Sequence, residues 1–337
     1  MMKLPRNFGA RLARFLLGKP ALTTQDVYIG DISVGRGKPC FFVAEIGINH
    51  NGSVEIAKKL IDVAAQAGAQ AVKFQKRTVP VVYSAGELAK PRAVDRTVLE
   101  NAIKRGVLSK EAVGRLQKSD FKDSTNGDLK WALEFTEAEY RDIFAYAKEK
   151  GLLAFASPWD LESVDFLEKL NVPGYKIASA TLTHHDLLRK VRLTNKPVIL
   201  STGMSTLEEV MTAVSVLGTK DLILLHTVST YPSQDSELNL RFIPRLRSMY
   251  PVVPIGYSGH EKGLTPSLAA ATYGAHLIER HITLDRIMFG TDQSASLEPQ
   301  EFTQLIRDVR TLEAAAGTGV KAVLASEIPI REKLRKF

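Results

Sequence analysis

Short apolar runs alternate with longer stretches of helical period along most of the chain. The runs Phe41–Ile46, Ala71–Gln75, Leu152–Ala156, Tyr175–Ala178, Val198–Leu200, Leu222–Leu225, Val252–Ile255 and His276–His281 read as strands. Helical stretches follow them: Val54–Ala67, Glu137–Lys150, Leu161–Leu170, His185–Leu193, Leu207–Leu217, Leu240–Met249, Thr265–Tyr273 and Pro299–Ala315. Ahead of this rhythm, Gln25–Gly37 alternates between turn glycines and predicts a β-hairpin that could cap the N-terminal mouth. After the second strand, residues from Arg77 to Glu134 read as irregular and too long for a passive loop, which suggests a cover over one side of the mouth.

Eight strands, each followed by a helix, predict an α/β fold of the closed (β/α)8 TIM-barrel kind. An open doubly wound sheet is the alternative. It would more often carry a G-x-G-x-x-G turn after its first strand, and none is there. The expected organisation is a basic extension over 1–24, the barrel over 25–319 and a tail over 320–337.

Length and composition fit this picture: 337 residues, 45% of them hydrophobic, can bury a barrel core. The net charge of +8 belongs to the ends, +5 over residues 1–20 and +3 over 331–337. The body is neutral, which argues against a nucleic-acid face. A single cysteine, Cys40, excludes an internal disulfide and makes the reducing cytoplasm the simplest location. The N-terminal piece has some amphipathic character; a loosely docked extension is the expectation, a membrane-surface helix or targeting peptide the alternative.

In a barrel the chemistry sits at the C-terminal strand ends. There the sequence places Glu45, Asn49, His50 and Asn51; Lys73 and Gln75; Ser157 and Asp160; Lys176 and Ser179; Ser201 and Thr202; His226, Ser229 and Tyr231; Ser258 and His260; Glu279 and His281; and Asp292. His260 and His281 lie 21 residues apart, just past neighbouring parallel strands, so both imidazoles can meet over one metal ion. The bland reading is two unrelated polar residues. An inward lysine in a closed barrel has no water-facing edge, so Lys73 and Lys176 are each expected to need an anion. With hydroxyls at Ser157, Ser179, Ser201 and Ser258 they would suit a phosphate plus a carboxylate. No P-loop and no G-x-S-x-G elbow is present, so a nucleoside triphosphate and a serine nucleophile are disfavoured.

The stretches AEIGINHNG, AVKFQKRT, YKIAS, PVILSTGMSTLEEV, Tyr231–Pro232, GYSGH, IERHITLD and GTDQSASLEP together resemble the sialic acid synthases, a family that includes legionaminic and pseudaminic acid synthases. The likeness runs from about Gln25 to Gly319. It implies a barrel enzyme condensing phosphoenolpyruvate with an N-acyl-mannosamine-type amino-sugar aldose to give a nonulosonic acid and phosphate. The family's divalent metal, Mn2+ or Mg2+, would be held by His260 and His281. Its phosphoenolpyruvate contacts fall on Lys73, Ser157, Lys176, Ser179, Ser201, Ser229 and Ser258, its sugar-side residues on Glu45, Gln75, Tyr231 and Asp292. The catalytic set so implied is Glu45, Lys73, Lys176, His260 and His281, with Glu45 handling protons. A homodimer is expected.

The sequence departs from the family pattern at Gly259, Gln293 and Thr181, all expected to face the sugar. Family members carry a C-terminal antifreeze-like domain whose arginine reaches the partner's active site. This chain stops at IPIREKLRKF, where that domain would begin. Its sugar contact is expected to be absent, or to come from a separate protein with that domain or from the 77–134 segment, through a basic group such as Arg92 or Arg96. Two rivals stand beside this reading: another phosphoenolpyruvate-aldose condensing enzyme, such as one making a 3-deoxy-octulosonate, and a non-catalytic barrel serving as a binding partner.

Overall fold

A computed structural model describes residues 24–336 of the chain. All but the last residue of the basic extension expected over 1–24 therefore lies outside the described residues.

The hairpin forms as expected from β1 (Val27–Ile29) and β2 (Ile32–Val34), paired antiparallel. Its turn runs through Gly30 at a φ of 61°, which glycine adopts without a Cβ penalty. A Cβ at Gly30 would lie 2.9 Å from Leu153 Cδ2, a residue at the start of a barrel strand. The hairpin thus sits at the N-terminal end of the barrel.

Eight parallel strands follow: β3 (Phe41–Gly47), β4 (Ala71–Lys76), β5 (Leu153–Pro158), β6 (Tyr175–Ile177), β7 (Val198–Ser201), β8 (Leu222–Thr227), β9 (Ile255–Gly259) and β10 (Leu277–His281). Their order is β5-β4-β3-β10-β9-β8-β7-β6, so the last strand pairs with the first and closes the sheet. At the remaining seam β5 and β6 lie side by side without a ladder. This is the (β/α)8 barrel. The strands are buried on both faces, which explains why they read as apolar runs.

The helices between strands begin where their caps say they should. Ser53 accepts from Ile56 N at the start of Val54–Ala67, and Gly68 ends that helix at a φ of 86°. Thr206 and Glu209 form a reciprocal capping box for Leu207–Leu217.

Two element readings need correction. The seventh strand lies at Ile255–Gly259, later than the expected Val252–Ile255. The apolar run is spent on a turn at Tyr250–Val253, and the strand itself carries Gly256, Tyr257 and Ser258. Gly256 is required there, since a Cβ would come within 2.4 Å of the Leu277 carbonyl on β10. Residues 77–134 are not irregular: they hold helices at Val79–Val82, Ala85–Leu88, Arg96–Arg105, Lys110–Lys118 and Asn126–Leu133. Each is three turns or shorter, so an apolar period barely develops. Their caps were nevertheless readable, as Ser84 with Glu87 and Thr125 with Asp128 both form capping boxes. This insert has its own small core of Val98, Ala102, Leu129, Ala132 and Leu133. Arg105 clasps it to the barrel, reaching the Ala132 and Glu134 carbonyls at 2.7 Å and Glu139 Oε1 at 2.6 Å.

Candidate active site

Strand alternation decides which polar residues enter the barrel. On β10, Glu279 and His281 point inward, while Arg280 between them faces the helix layer and pairs with Glu261 at 2.8 Å in full burial. On β8, Thr227 points inward and His226 outward, where its Nε2 meets the Leu238 carbonyl at 2.7 Å. Register then sets neighbours: His281 lies beside Glu45, Glu45 beside Lys73, Gln75 beside Ser157, and Glu279 beside Ser258.

The result is a cavity of about 190 Å3 at the C-terminal mouth. It is walled by Glu45, Lys73, Gln75, Ser157, Lys176, Ser179, Ser201, Ser229, Tyr231, Ser258, His260 and His281, which are the expected site residues save one. The exception, Asp292, stands behind His281, with its Oδ2 4.0 Å from Nδ1. A larger groove of about 590 Å3 lies outside the mouth beside Lys76 and Arg77, but none of the expected site residues lines it.

The two lysines do not wait for an external anion, contrary to expectation. Lys73 Nζ lies 2.9 Å from Glu45 Oε2 and 3.5 Å from Glu279 Oε1, and Lys176 Nζ lies 3.5 Å from that same Glu279 oxygen. The quartet balances two cations with two carboxylates. Sequence reasoning placed Glu279 at a strand end but left it out of the site. The missed signal was its spacing of two from His281, which puts both on the inner face.

The carboxylates differ in what surrounds them. Burial pushes Glu45 up to about 7, against the pull of Lys73. Burial also opposes the charge on Glu279, but Lys176 and Lys73 together, with a hydrogen bond of 3.0 Å from Ser258 Oγ, hold it well below the usual carboxylate range. Burial lowers Lys176, with Glu279 opposing. For Lys73 burial is outweighed by Glu279 and Glu45, and its affinity for the proton rises. At neutral pH, Glu279 is therefore fixed as an anion and Glu45 is poised between its two forms.

Hydroxyls complete the wall. Lys176 Nζ donates to Ser201 Oγ at 2.6 Å and Lys73 Nζ to Ser157 Oγ at 3.4 Å. Gly203 N donates to Ser179 Oγ at 3.0 Å, and a Cβ there would stand 2.1 Å from Ser229 Oγ. Ser229 Oγ itself is buried without a hydrogen-bond partner.

The imidazoles of His260 and His281 lie 5.4 Å apart between ring centres, with Tyr231 over His260 at 4.1 Å. Burial first, then mutual repulsion, lowers His260 to about 3; burial, with Asp292 opposing, lowers His281 to about 4. Both are neutral. His260 Nδ1 donates to the Val228 carbonyl at 2.6 Å, which leaves Nε2 with a free lone pair, while His281 Nδ1 is buried without a hydrogen-bond partner. Two neutral imidazoles with unspent lone pairs fit a divalent cation. Among the described residues no third His, Cys, Asp or Glu joins them as a ligand group, so such an ion would keep open positions.

The departures from the family pattern lie elsewhere than expected. A Cβ at Gly259 would strike Glu261 Oε2 at 2.4 Å, on the outer side of the strand. Gln293 is buried under the last loop and donates to the Asn49 and Phe289 carbonyls at 3.3 and 3.2 Å. Thr181 donates to the Ala178 carbonyl at 3.2 Å. None of the three lines the cavity. Of the two basic candidates from the insert, Arg96 is spent on the surface with Glu100 and Asp120, at 2.7 and 2.8 Å.

The chain is similar to known proteins along most of its length. The chain is 38% identical over 306 residues to human N-acetylneuraminate-9-phosphate synthase, covering 90% of this chain and 78% of that protein. It is 36% identical over 295 residues to the N,N'-diacetyllegionaminic acid synthase of Campylobacter jejuni, covering 86% and 81%. In structure it resembles the N-acetylneuraminic acid synthetase of Leptospira borgpetersenii, solved with citrate, with a TM-score of 0.73, 32% identity, and coverage of 93% and 99%. The NeuB family profile matches residues 60–321, and the chain belongs to the NeuB family.

Proposed function

We propose that this chain condenses phosphoenolpyruvate with an N-acyl-mannosamine-type aldose, giving a nonulosonic acid and phosphate. The observation that carries this reading is the meeting, in one cavity, of two lysines, five serine hydroxyls and two neutral imidazoles around a carboxyl that titrates near neutrality. Lys73 and Lys176, with Ser157, Ser179, Ser201, Ser229 and Ser258, hold the phosphate and carboxylate of phosphoenolpyruvate.

Placing that anion beside a neutral quartet favours protonation of Glu45, because a nearby negative charge raises a carboxyl's proton affinity. Protonated Glu45 then serves as the acid. C3 of phosphoenolpyruvate attacks the aldehyde carbon, and the aldehyde oxygen takes the proton from Glu45. C2 becomes cationic and is stabilised by Glu279, which stays ionised throughout. Glu45, now a carboxylate, accepts a proton from the water that adds to C2. That proton already returns Glu45 to its starting form; as the bond from C2 to the phosphate oxygen breaks, the C2 hydroxyl gives its remaining proton to the departing phosphate, which leaves the 2-keto acid.

His260 and His281 would hold a divalent ion, and nitrogen ligands favour Mn2+ over Mg2+. When bound, that ion polarises the aldehyde oxygen. The buried free thiol of Cys40 suits a reducing, cytoplasmic setting. Among the described residues no helix is long and apolar enough to cross a membrane.

The test is phosphate release from phosphoenolpyruvate by the purified chain with Mn2+ and a panel of aldoses. Release that needs an N-acyl-mannosamine and yields a nine-carbon 2-keto acid supports the reading. Release with pentoses or unacylated aldoses, and not with these, overturns it.

A further inference from the structure

Behind the two histidines, on the outer side of the barrel, lies a charged cluster that the proposed chemistry does not use. Arg280 and Glu261 are both fully buried there and pair at 2.8 Å. The same Arg280 Nη1 donates to Ser267 Oγ at 2.8 Å and to the Gly263 carbonyl at 3.1 Å, and Nη2 donates to the Glu261 carbonyl at 2.5 Å. Glu261 Oε1 also accepts from Ser267 Oγ at 2.8 Å, and Oε2 accepts from the Tyr257 hydroxyl at 2.8 Å.

The cluster touches the backbone on either side of the histidines. Arg280 immediately precedes His281, and Glu261 immediately follows His260. The β9–β10 ladder ends at the pair Gly259 and Arg280, one residue short of both histidines. On the β8 side, His260 is held by the chain after that strand: its Nδ1 donates to the Val228 carbonyl at 2.6 Å, and its carbonyl accepts from Ser233 N at 3.0 Å. On the β10 side, past the end of the ladder, the Arg280 side chain makes the connection. One guanidinium ties the carbonyls of residues 261 and 263 to the residue before His281.

Stability alone does not account for the pair. A buried ion pair gains little over apolar side chains of the same size, because the cost of taking two charges out of water offsets their attraction. A planar, forked guanidinium does supply direction, since it fixes the groups its donors reach. The chain also leaves room for the carboxylate. A Cβ at Gly259 would lie 2.4 and 2.9 Å from the two oxygens of Glu261 and 2.7 Å from Tyr257 Cε1. The departure from the family pattern at Gly259 thereby has a physical reason: the Glu261 carboxylate occupies that space.

We infer that Arg280 and Glu261 are positioning residues that set the spacing and orientation of His260 against His281, so that both imidazoles can hold one divalent ion. The inference rests on the reading that these two histidines are the metal ligands. Arg280 and Glu261 act through the backbone that carries the two rings.

The experiment measures Mn2+ binding by the full chain, through loss of the free-ion magnetic resonance signal, and phosphoenolpyruvate binding by calorimetry. The variants are the double exchange Arg280→Met with Glu261→Gln, which removes both charges together, the single exchanges Ser267→Ala and Tyr257→Phe, and Leu167→Ala as a stability control. Leu167 is buried on helix Leu161–Lys169, which packs on β5, four strands from β9 in either direction. Mn2+ affinity is expected to fall by about ten- to a hundredfold in the double variant, the usual worth of a group that orients metal ligands. Phosphoenolpyruvate should bind as in wild type. Each single exchange removes a hydrogen bond from the Glu261 carboxylate and should weaken Mn2+ binding by about two- to tenfold. These two decide the matter if the double variant does not fold. Leu167→Ala is expected to lower the unfolding midpoint and leave Mn2+ affinity unchanged. Wild-type Mn2+ affinity in the cluster variants, or a loss of both ligands in step with stability, overturns the positioning role while the metal reading stands. Undiminished Mn2+ binding by His260→Ala and His281→Ala, or no binding by wild type, overturns the metal reading itself and this inference with it.

Discussion

Carboxylates titrate according to their surroundings, and here Glu45 and Glu279 share Lys73 yet end in opposite states. Glu279 has two ammonium groups and the Ser258 hydroxyl on it, so it remains ionised. Glu45 has one ammonium and the amide of Gln75, too little to offset complete burial. The consequence is a pH dependence with a definite sign. Glu45 loses its proton as pH rises through about 7 in the free protein, and bound phosphoenolpyruvate shifts that loss upward. If protonated Glu45 is the acid, kcat/KM for the aldose falls on the alkaline side, with a midpoint at or above neutrality. In Glu45→Gln the rate is expected to drop by about two to four orders of magnitude and that limb to disappear. A variant that keeps both the rate and the alkaline limb would remove Glu45 from proton transfer.

Among the elements, the insert over 77–134 has a small core of its own, and one residue fastens it. Arg105 spans the Ala132 and Glu134 carbonyls and both oxygens of Glu139, largely buried. Gly52 makes room for the docking: its φ is 71°, and a Cβ would lie 2.1 Å from the Ala132 carbonyl. Removing the guanidinium takes a donor from a half-buried carboxylate and leaves two carbonyls without theirs, a loss of about 1–3 kcal/mol. Arg105→Ala is therefore expected to lower the unfolding midpoint in denaturant and to speed amide exchange over 91–134. The KM for the aldose should rise more than the KM for phosphoenolpyruvate, because the latter is held by the barrel strands. Exchange over 91–134 as slow as in wild type would show that Arg105 is not the clasp. The helices of the insert escaped the periodicity reading because they are short, although their Ser and Thr caps stood in plain view at Ser84, Ser109 and Thr125.

At the scale of the whole molecule, closure of the sheet brings the two histidines together. His281 ends the last strand and His260 follows the one before it, and the 5.4 Å between their rings exists only because β9 and β10 pair in register. A metal site built this way has a readout independent of turnover. Wild type is expected to bind one equivalent of Mn2+, followed by the loss of the free-ion magnetic resonance signal, and His260→Ala and His281→Ala to lose that binding with far-ultraviolet dichroism unchanged. Undiminished Mn2+ binding by both variants would place the metal elsewhere. Chelation should likewise abolish phosphate release, and added Mn2+ should restore it.

The sequence by itself determined the barrel, its N-terminal hairpin and most of the polar residues of the cavity wall. Apolar runs of strand length punctuated by capped helices report local burial, and polar residues at the ends of such runs mark the mouth. It also placed Lys73 and Lys176 inside. What it could not determine was how charges pair across strands far apart in the chain. Glu279 neutralises Lys176 from 103 positions away, and that pairing depends on which strands are neighbours and in which register. The same limit hid Gly259, Thr181 and Gln293, whose side-chain directions follow from strand alternation and loop packing. Local pattern is written in the chain because burial is a property of each segment; partnership is decided by tertiary structure, because it is a property of two.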